Sequence, residues 1–392
     1  MPNKPPSKNA RPFRLFRVVL WGALLVAVLV AVITFVVYRD EIDTAALTRF
    51  LPSIRLPGSK QEEDLEQLAY DPLEDNIFML VGNGLCILNP NRLAFYDGSG
   101  RELVSAGRNV NFARPALSAA ESHALAYDRG GNTLLLLSDR EVELEKSFPR
   151  PILSASINRK GSFVVVHEES GFKTVAQVYN NNGELTYRVQ SNEQYLTTAV
   201  LSPDGRQVAI AACSQQESRF LSRVTVYDVT QTDALFTMDF PDESIFAVRY
   251  PDNNHIAVLL ETAVEFFDRD GKLLTRYSFG DKQLLGSALD GEFFLALRLG
   301  RYASGVRNEL VILDWEGAEL LRQEVREPIL SMSAAGRFLS VLATGTISMY
   351  DDKGILSGEA EAADARSILQ KSDGSALTLG LGHAKRITPT LE

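Results

Sequence analysis

The chain has 392 residues, 45% of them hydrophobic and 23% charged, with a formal net charge of −10. That mix belongs to a folded globular chain with enough apolar residues for a large core, not to an intrinsically disordered one. The acidic balance argues against a nucleic-acid partner, because no basic stripe remains beyond the N-terminal tail.

The first 17 residues carry Lys4, Lys8, Arg11, Arg14 and Arg17 and no acid. This Pro-rich tail reads as a topology signal. Residues 18–38 follow, 21 positions without Asp, Glu, Lys, Arg or His. At about 1.5 Å per residue, such a helix crosses a hydrocarbon core of about 30 Å. It is apolar on every side, unlike the amphipathic core helix of a soluble protein. Trp21 and Tyr38 stand near its two ends, where aromatic rings favour the interface. Arg39, Asp40, Glu41 and Asp43 come next. The positive-inside rule then predicts a single-pass protein of the cytoplasmic membrane, with residues 1–17 in the cytoplasm and the rest outside. A cleaved signal peptide has an apolar region of about 7–15 residues before a small-x-small site. The longer run here ends in Tyr-Arg-Asp-Glu, so it reads as a retained signal anchor. With −10 overall and +5 in the tail, the part beyond the tail carries −15.

Residues 39–64 form a connector. Ile42, Ala45, Ala46, Phe50 and Leu51 suit one face of a short juxtamembrane helix, which Pro52, Pro57 and Gly58 break. The acidic segment QEEDLEQ follows, and the connector reads as a spacer.

Residues 65–392 repeat themselves. An apolar run ending in a turn recurs at intervals near 40: LAFYDGSG at 93, LLLLSDRE at 134, AQVYNNNG at 176, VTVYDVTQ at 224, VEFFDRDG at 264, LVILDWEG at 310 and ISMYDDKG at 347. A second family of turns precedes these, as in INRKGSFVVV at 157, LSPDGRQVAI at 201 and ALDGEFFLAL at 288. Short strands rich in Val, Ile, Phe and Tyr, bounded by Asp, Asn and Gly, repeated every 40 residues or so, predict an all-β fold, a β-propeller of four-stranded blades. Eight units begin near residues 77, 117, 152, 197, 245, 284, 329 and 366, with seven blades the alternative. The last unit runs out of chain after about three strands. Residues 65–80 are placed to supply the missing strand and close the ring. Cys86 and Cys213 sit in apolar strands and read as buried free thiols.

The basic tail and anchor, DTAALTRFL at 43–51, NRLAFYDGSG at 91–100 and strand endings such as VTVYD at 224–228 resemble an uncharacterised bacterial family of single-pass membrane proteins. Its members have an extracytoplasmic propeller-like domain of unknown function, so the resemblance implies the architecture and carries over no functional residues. SPDGRQVAI at 202–210 also resembles the repeats of Tol-type and WD-type propellers. Those mostly bind other proteins, and the likeness concerns fold.

No motif points to a reaction, a metal or a cofactor. His123, His167, His255 and His383 are scattered, without a metal-ligand spacing. There is no nucleophile elbow, Walker loop or Rossmann fingerprint. Trp315 is the one Trp beyond the apolar run, whereas quinone-dependent dehydrogenase propellers carry one in nearly every blade. The reading is a non-enzymatic binding or scaffolding module at the cell envelope. Its partner is a protein or an anionic envelope polymer, and the alternative is an enzyme or small-ligand sensor using the central channel.

The irregular loops indicate where binding is expected. The PDG and YDxxG turns are short and fall on one face. The loops between second and third strands open on the other, and those of the second, third, fourth and sixth units are longer: AYDRGGNT at 126, EESGFKTV at 168, and, notable for content, CSQQESRFLSRV at 213 and RLGRYASGVRNE at 298. Arg219, Phe220 and Arg223 lie in the segment at 213, and Arg301, Tyr302 and Arg307 in that at 298. Arginines and aromatics are enriched at interface hot spots and anion sites, so these six are the candidate rim.

Overall fold

A computed structural model describes residues 67–216, 218–301 and 308–390. The predicted span at 18–38, the tail before it and the connector at 39–64 lie outside the described residues. Among the described residues no helix is long and apolar enough to cross a membrane.

Eight antiparallel sheets of four strands each follow one another along the chain. The first strands of blades 1 to 8 are Ile77–Val81, Pro115–Ala120, Ile152–Ile157, Tyr195–Leu201, Ile245–Arg249, Gln283–Ala288, Ser331–Ala335 and Ser367–Gln370. The count of eight therefore stands over seven. In blades 1 to 7 the strands pair in sequence order. In blade 8 the chain supplies Ser367–Gln370, Ala376–Leu379 and His383–Ile387, and the fourth strand is Gln67–Ala69 from the start of the domain. Gln67, Leu68 and Ala69 pair with Lys385, Ala384 and His383. The expected closure by residues 65–80 is thus met by three of them. At the other end, Glu359 and Thr390 exchange two main-chain hydrogen bonds, so the C-terminal tail clips the outer edge of blade 7.

The blades pack face to face, and the burial pattern follows. Second strands such as Gly84–Leu88 and third strands such as Thr133–Ser138 are covered on both sides and read as continuous apolar runs. Fourth strands such as Val142–Ser147 (VELEKS) alternate half-buried with exposed, and their charges protect an open edge. Each of eight hydrophobic clusters spans one blade-to-blade interface. One of them joins Leu68, Leu377, Leu379 and Ala384 of blade 8 to Leu85 and Ile87 of blade 1, which completes the circle. The two interfaces of blade 8 have the smallest clusters, and polar contacts supplement them. Ser331 and Ser367 hydroxyls lie 3.1 Å apart, Gln370 N donates to Ser333 Oγ at 2.9 Å, and Lys371 Nζ donates to Asn83 Oδ1 at 2.5 Å.

The YDxxG repeat has a local cause. The Asp carboxylate accepts main-chain N–H groups two and four residues on: Asp268 from Asp270 and Lys272, Asp314 from Glu316 and Ala318, and Asp351 from Lys353 and Ile355, all at 2.8–3.0 Å. The Gly takes the left-handed conformation, with φ of 82° at Gly271 and 89° at Gly317. It also lets the turn press on the preceding blade. A Cβ on Gly317 would lie 2.8 Å from the Phe266 ring. The same short sequence therefore ends a strand, reverses the chain and sets blade spacing.

These turns, with those joining first and second strands, lie on one face, here called the regular-turn face. The other face carries the loops between second and third strands and the blade-to-blade connections, so each first strand starts there. Both cysteines are free. Cys86 is buried, which pushes its thiol up to about 12, whereas Cys213 is only half-buried.

Candidate functional site

The first strands wall the central channel, and they are almost free of charge. Their sequences are IFMLV, PALSAA, ILSASI, YLTTAVL, IFAVR, QLLGSA, SMSAA and SILQ, in which Arg249 is the one charged residue. Arg249 sits at the regular-turn end. It pairs with Asp290 of blade 6, and its Nε donates to the Leu289 carbonyl at 3.4 Å. Although the side chain is 39% exposed, desolvation by the surrounding wall disfavours the charged form, so its pKa lies below the usual arginine value. Some hydroxyls of the wall bond across to the next blade, as Ser156 does to the Ala199 carbonyl at 2.7 Å. No group of three or more His, Cys, Asp or Glu among the described residues could hold a metal ion.

At the loop-face mouth the first strands are irregular in a repeated way. Pairing with the second strand slips by one residue between Ile152 and Ser154, Leu196 and Thr198, Ile245 and Ala247, and Leu284 and Gly286. The skipped residues are Leu153, Thr197, Phe246 and Leu285. In blade 7, Leu330 N donates to the Leu342 carbonyl at 2.8 Å while Ser331 is the register partner of Leu342, so Leu330 takes the same place. The first strands of blades 1 and 2 pair without a slip. A bulge leaves one residue out of the ladder and re-aims its side chain. Leu153 packs into the interface between blades 3 and 4, and Thr197 Oγ1 donates to the Ala211 carbonyl at 3.2 Å. Phe246, Leu285 and Leu330 do neither. They are 55%, 38% and 44% exposed, at equivalent positions of three consecutive blades around one channel mouth. Tyr195, which opens the first strand of blade 4, is exposed on the same face.

The sequence-predicted rim falls on this face but differs in character. The segment at 213 is not a loop. Strands Gln207–Gln216 and Arg219–Asp228 continue as a paired hairpin as far as Gln216 opposite Arg219. Arg219 pairs with Asp242, and the Phe220 carbonyl accepts Asp242 N–H at 2.9 Å. Arg223 holds Asp239, its cross-strand neighbour, through two hydrogen bonds of 2.5 and 2.8 Å. Those bonds keep the Asp239 carboxyl below the usual carboxylate range. Arg301 pairs with Asp281 at 2.5 Å. Tyr302 and Arg307 lie outside the described residues. Arg219 and Arg301 thus reach the connections entering and leaving blade 5, and each meets an acid there. Among the described residues, the rim arginines form neutralised pairs flanking Phe246, not a bare basic wall.

Sequence reasoning missed Phe246, Leu285 and Leu330 because they sit in strand-like runs and read as core. A signal was present. Ile152-Leu153-Ser154, Ile245-Phe246-Ala247, Leu284-Leu285-Gly286 and Ile329-Leu330-Ser331 share two large apolar residues followed by a small one. This breaks the alternation at the same point of these four units.

A family of unknown function, DUF5711, matches residues 64–375. No curated protein matches the chain. Among solved structures, BamB from Moraxella catarrhalis is similar at 13% identity and a TM-score of 0.50, over 82% of this chain and 98% of that one. The C-terminal WD40 domain of Sif2 is similar at 12% identity and a TM-score of 0.56, over 84% of this chain and 97% of that one. At such identities the likeness is one of fold, and both are in accord with the propeller.

Proposed function

The chain therefore belongs to the DUF5711 family of unknown function, and we propose that its propeller is a non-enzymatic scaffold that holds a protein partner on the loop face. Residues 18–38 tether it to the outer side of the cytoplasmic membrane. The observation that carries this reading is the trio Phe246, Leu285 and Leu330. Three large apolar side chains are lifted out of the sheet by bulges and left exposed at one mouth. Aromatic and aliphatic anchors ringed by polar groups are the usual energetic centre of a protein interface. The ion pairs of Arg219, Arg223 and Arg301 would form its polar rim, where each pair contributes about 0–1 kcal/mol and exchanges readily with a partner's charges. Because those arginines are already neutralised, a protein suits the face better than an anionic envelope polymer. The nearly uncharged channel wall offers an enzyme little to work with. The tether rests on the charge asymmetry around 18–38.

The test replaces Phe246, Leu285 and Leu330 together by Ser in the full chain, followed by crosslinking in intact cells and co-purification. Exposed substitutions leave folding within about 0.5 kcal/mol each. The partners captured by the wild type should be lost. Their retention, with loss on changing Arg249 instead, would move the site into the channel.

A further inference from the structure

A second concave site lies away from the channel, on the outer wall between blades 2 and 3, and it does not rest on the loop-face reading. It is a cavity of about 400 Å³ between the end of the fourth strand of blade 2 and the outer part of blade 3. That volume falls within the range of small-molecule sites. Its charge runs against the rest of the protein. Lys146, Arg150 and Arg188 line it with one acid, Glu169, which Arg188 already holds. Arg150 donates to Ser170 Oγ at 2.9 Å and has no carboxylate partner among the described residues. Lys146 Nζ donates to the Gly183 carbonyl at 3.3 Å and stands 4.4 Å from the centroid of the Tyr179 ring, again without a carboxylate. Two uncompensated cations in one cavity are unexpected on a chain of net charge −10.

His167 supplies an independent observation. It lines the same cavity and is 1% exposed, and its Nε2 has no partner. Its Nδ1 lies 2.6 Å from the Glu168 carbonyl oxygen. A carbonyl only accepts, so Nδ1 carries a proton, and when the ring holds that proton alone Nε2 is an acceptor. A buried polar atom left unsatisfied is costly, and it points to a ligand able to complete it. The aromatic side of the cavity is Phe148 and Tyr179, whose rings meet edge to face at 6.1 Å. Gln177, bonded to the Tyr179 hydroxyl at 2.5 Å, stands beside them.

We infer that this cavity binds a small phosphate monoester of a polyol or sugar. The phosphate is held by Arg150 and Lys146, its remaining proton is donated to His167 Nε2, and the organic part lies against Tyr179 and Phe148. The chemistry selects that class. Guanidinium and ammonium groups favour an oxyanion. The lone pair on Nε2 asks for an oxyanion that still bears a proton, as a phosphate monoester does near its second pKa of about 6 and a sulfate does not. The site binds and positions, with no bond made or broken.

The experiment is calorimetric titration of the full chain in detergent with glycerol 3-phosphate, inorganic phosphate, inorganic sulfate and glycerol at pH 6. Glycerol 3-phosphate should bind, inorganic phosphate more weakly, sulfate at least tenfold more weakly than phosphate, and glycerol not at all. Arg150→Ala should weaken glycerol 3-phosphate at least tenfold. His167→Gln should reduce the preference for phosphate over sulfate. Arg140→Ala, an exposed change on the regular-turn face, should leave binding as it was. Because His167 is buried, an unchanged melting temperature must accompany its variant, and Arg150→Ala carries the test if it does not. Absence of heat at millimolar glycerol 3-phosphate would overturn the inference. Equal affinity for sulfate and phosphate in the wild type, or unchanged affinity in Arg150→Ala, would overturn it as well.

Discussion

Leu68→Ala tests how the ring is closed. Leu68 is the centre of the three-residue strand Gln67–Ala69 and is 8% exposed. It packs with Leu377, Leu379 and Ala384 of its own blade and Leu85 and Ile87 of blade 1. A buried Leu→Ala change costs about 2–5 kcal/mol, least where surroundings can relax into the gap. Here the cluster is small and the strand lies at a sheet edge, so about 2–3 kcal/mol is expected. At 1.4 kcal/mol per tenfold, local opening of blade 8 becomes about 30- to 150-fold more frequent. Amide hydrogen exchange reads this directly. Exchange in Ala376–Leu379 and His383–Ile387 should accelerate by that factor, while Phe163–Glu169 in blade 3 keeps its rate. Leu273→Ala, an exposed position on the fourth strand of blade 5, should change neither. A change under threefold in blade 8 would refute the closure energetics. Equal acceleration in every blade would show that the ring opens as one unit rather than at its closing blade.

Gly317→Ala should cost about 2–4 kcal/mol in urea denaturation, since it adds a left-handed Ala to a 2.8 Å clash with Phe266. Gly171→Ala has the same φ of 89° and open space around it, so its cost should be only the backbone part, about 1–2 kcal/mol. Burial pushes the Glu243 carboxyl up, but hydrogen bonds from Thr262 and Arg276, at 2.7 and 2.6 Å, outweigh this and hold it below the usual range. A carboxyl depressed in the folded state stabilises above its unfolded pKa of about 4.3 and loses that contribution as pH falls through the folded value. Glu243→Gln should therefore lower stability by about 1–2 kcal/mol at pH 7, and by progressively less as pH falls below about 4, by denaturation curves across that range. A reporter enzyme active only outside the cytoplasm should work when fused after Glu392 and fail when fused before Met1. The reverse pattern would invert the topology.

The architecture was legible because turns and strands state the same period. Each Asp that caps a turn and each Gly that crosses to positive φ is a fixed punctuation mark, and the alternating fourth strands contrast with the continuous second and third. The missing strand of blade 8 was legible by counting. The surface was less so. Arg219 and Arg223 stand on strands, because the ladder between the second and third strands of blade 4 runs on through the polar residues Ser214, Gln215 and Gln216, where the apolar pattern has already ended. Their charge was misjudged because Asp242 and Asp239 are distant in sequence and adjacent only across the sheet. Phe246, Leu285 and Leu330 looked like core residues, since a bulge shifts one side chain without changing composition.

The most direct test of the loop-face claim is photocrosslinking from single positions in living cells. A photoreactive amino acid would replace Phe246 in one strain and Lys272, on the regular-turn face, in another. The claim predicts a discrete adduct of higher mass from position 246, absent from position 272 and lost when Leu285 and Leu330 are also changed to Ser. Adducts from position 272 alone, or from neither position, would contradict it.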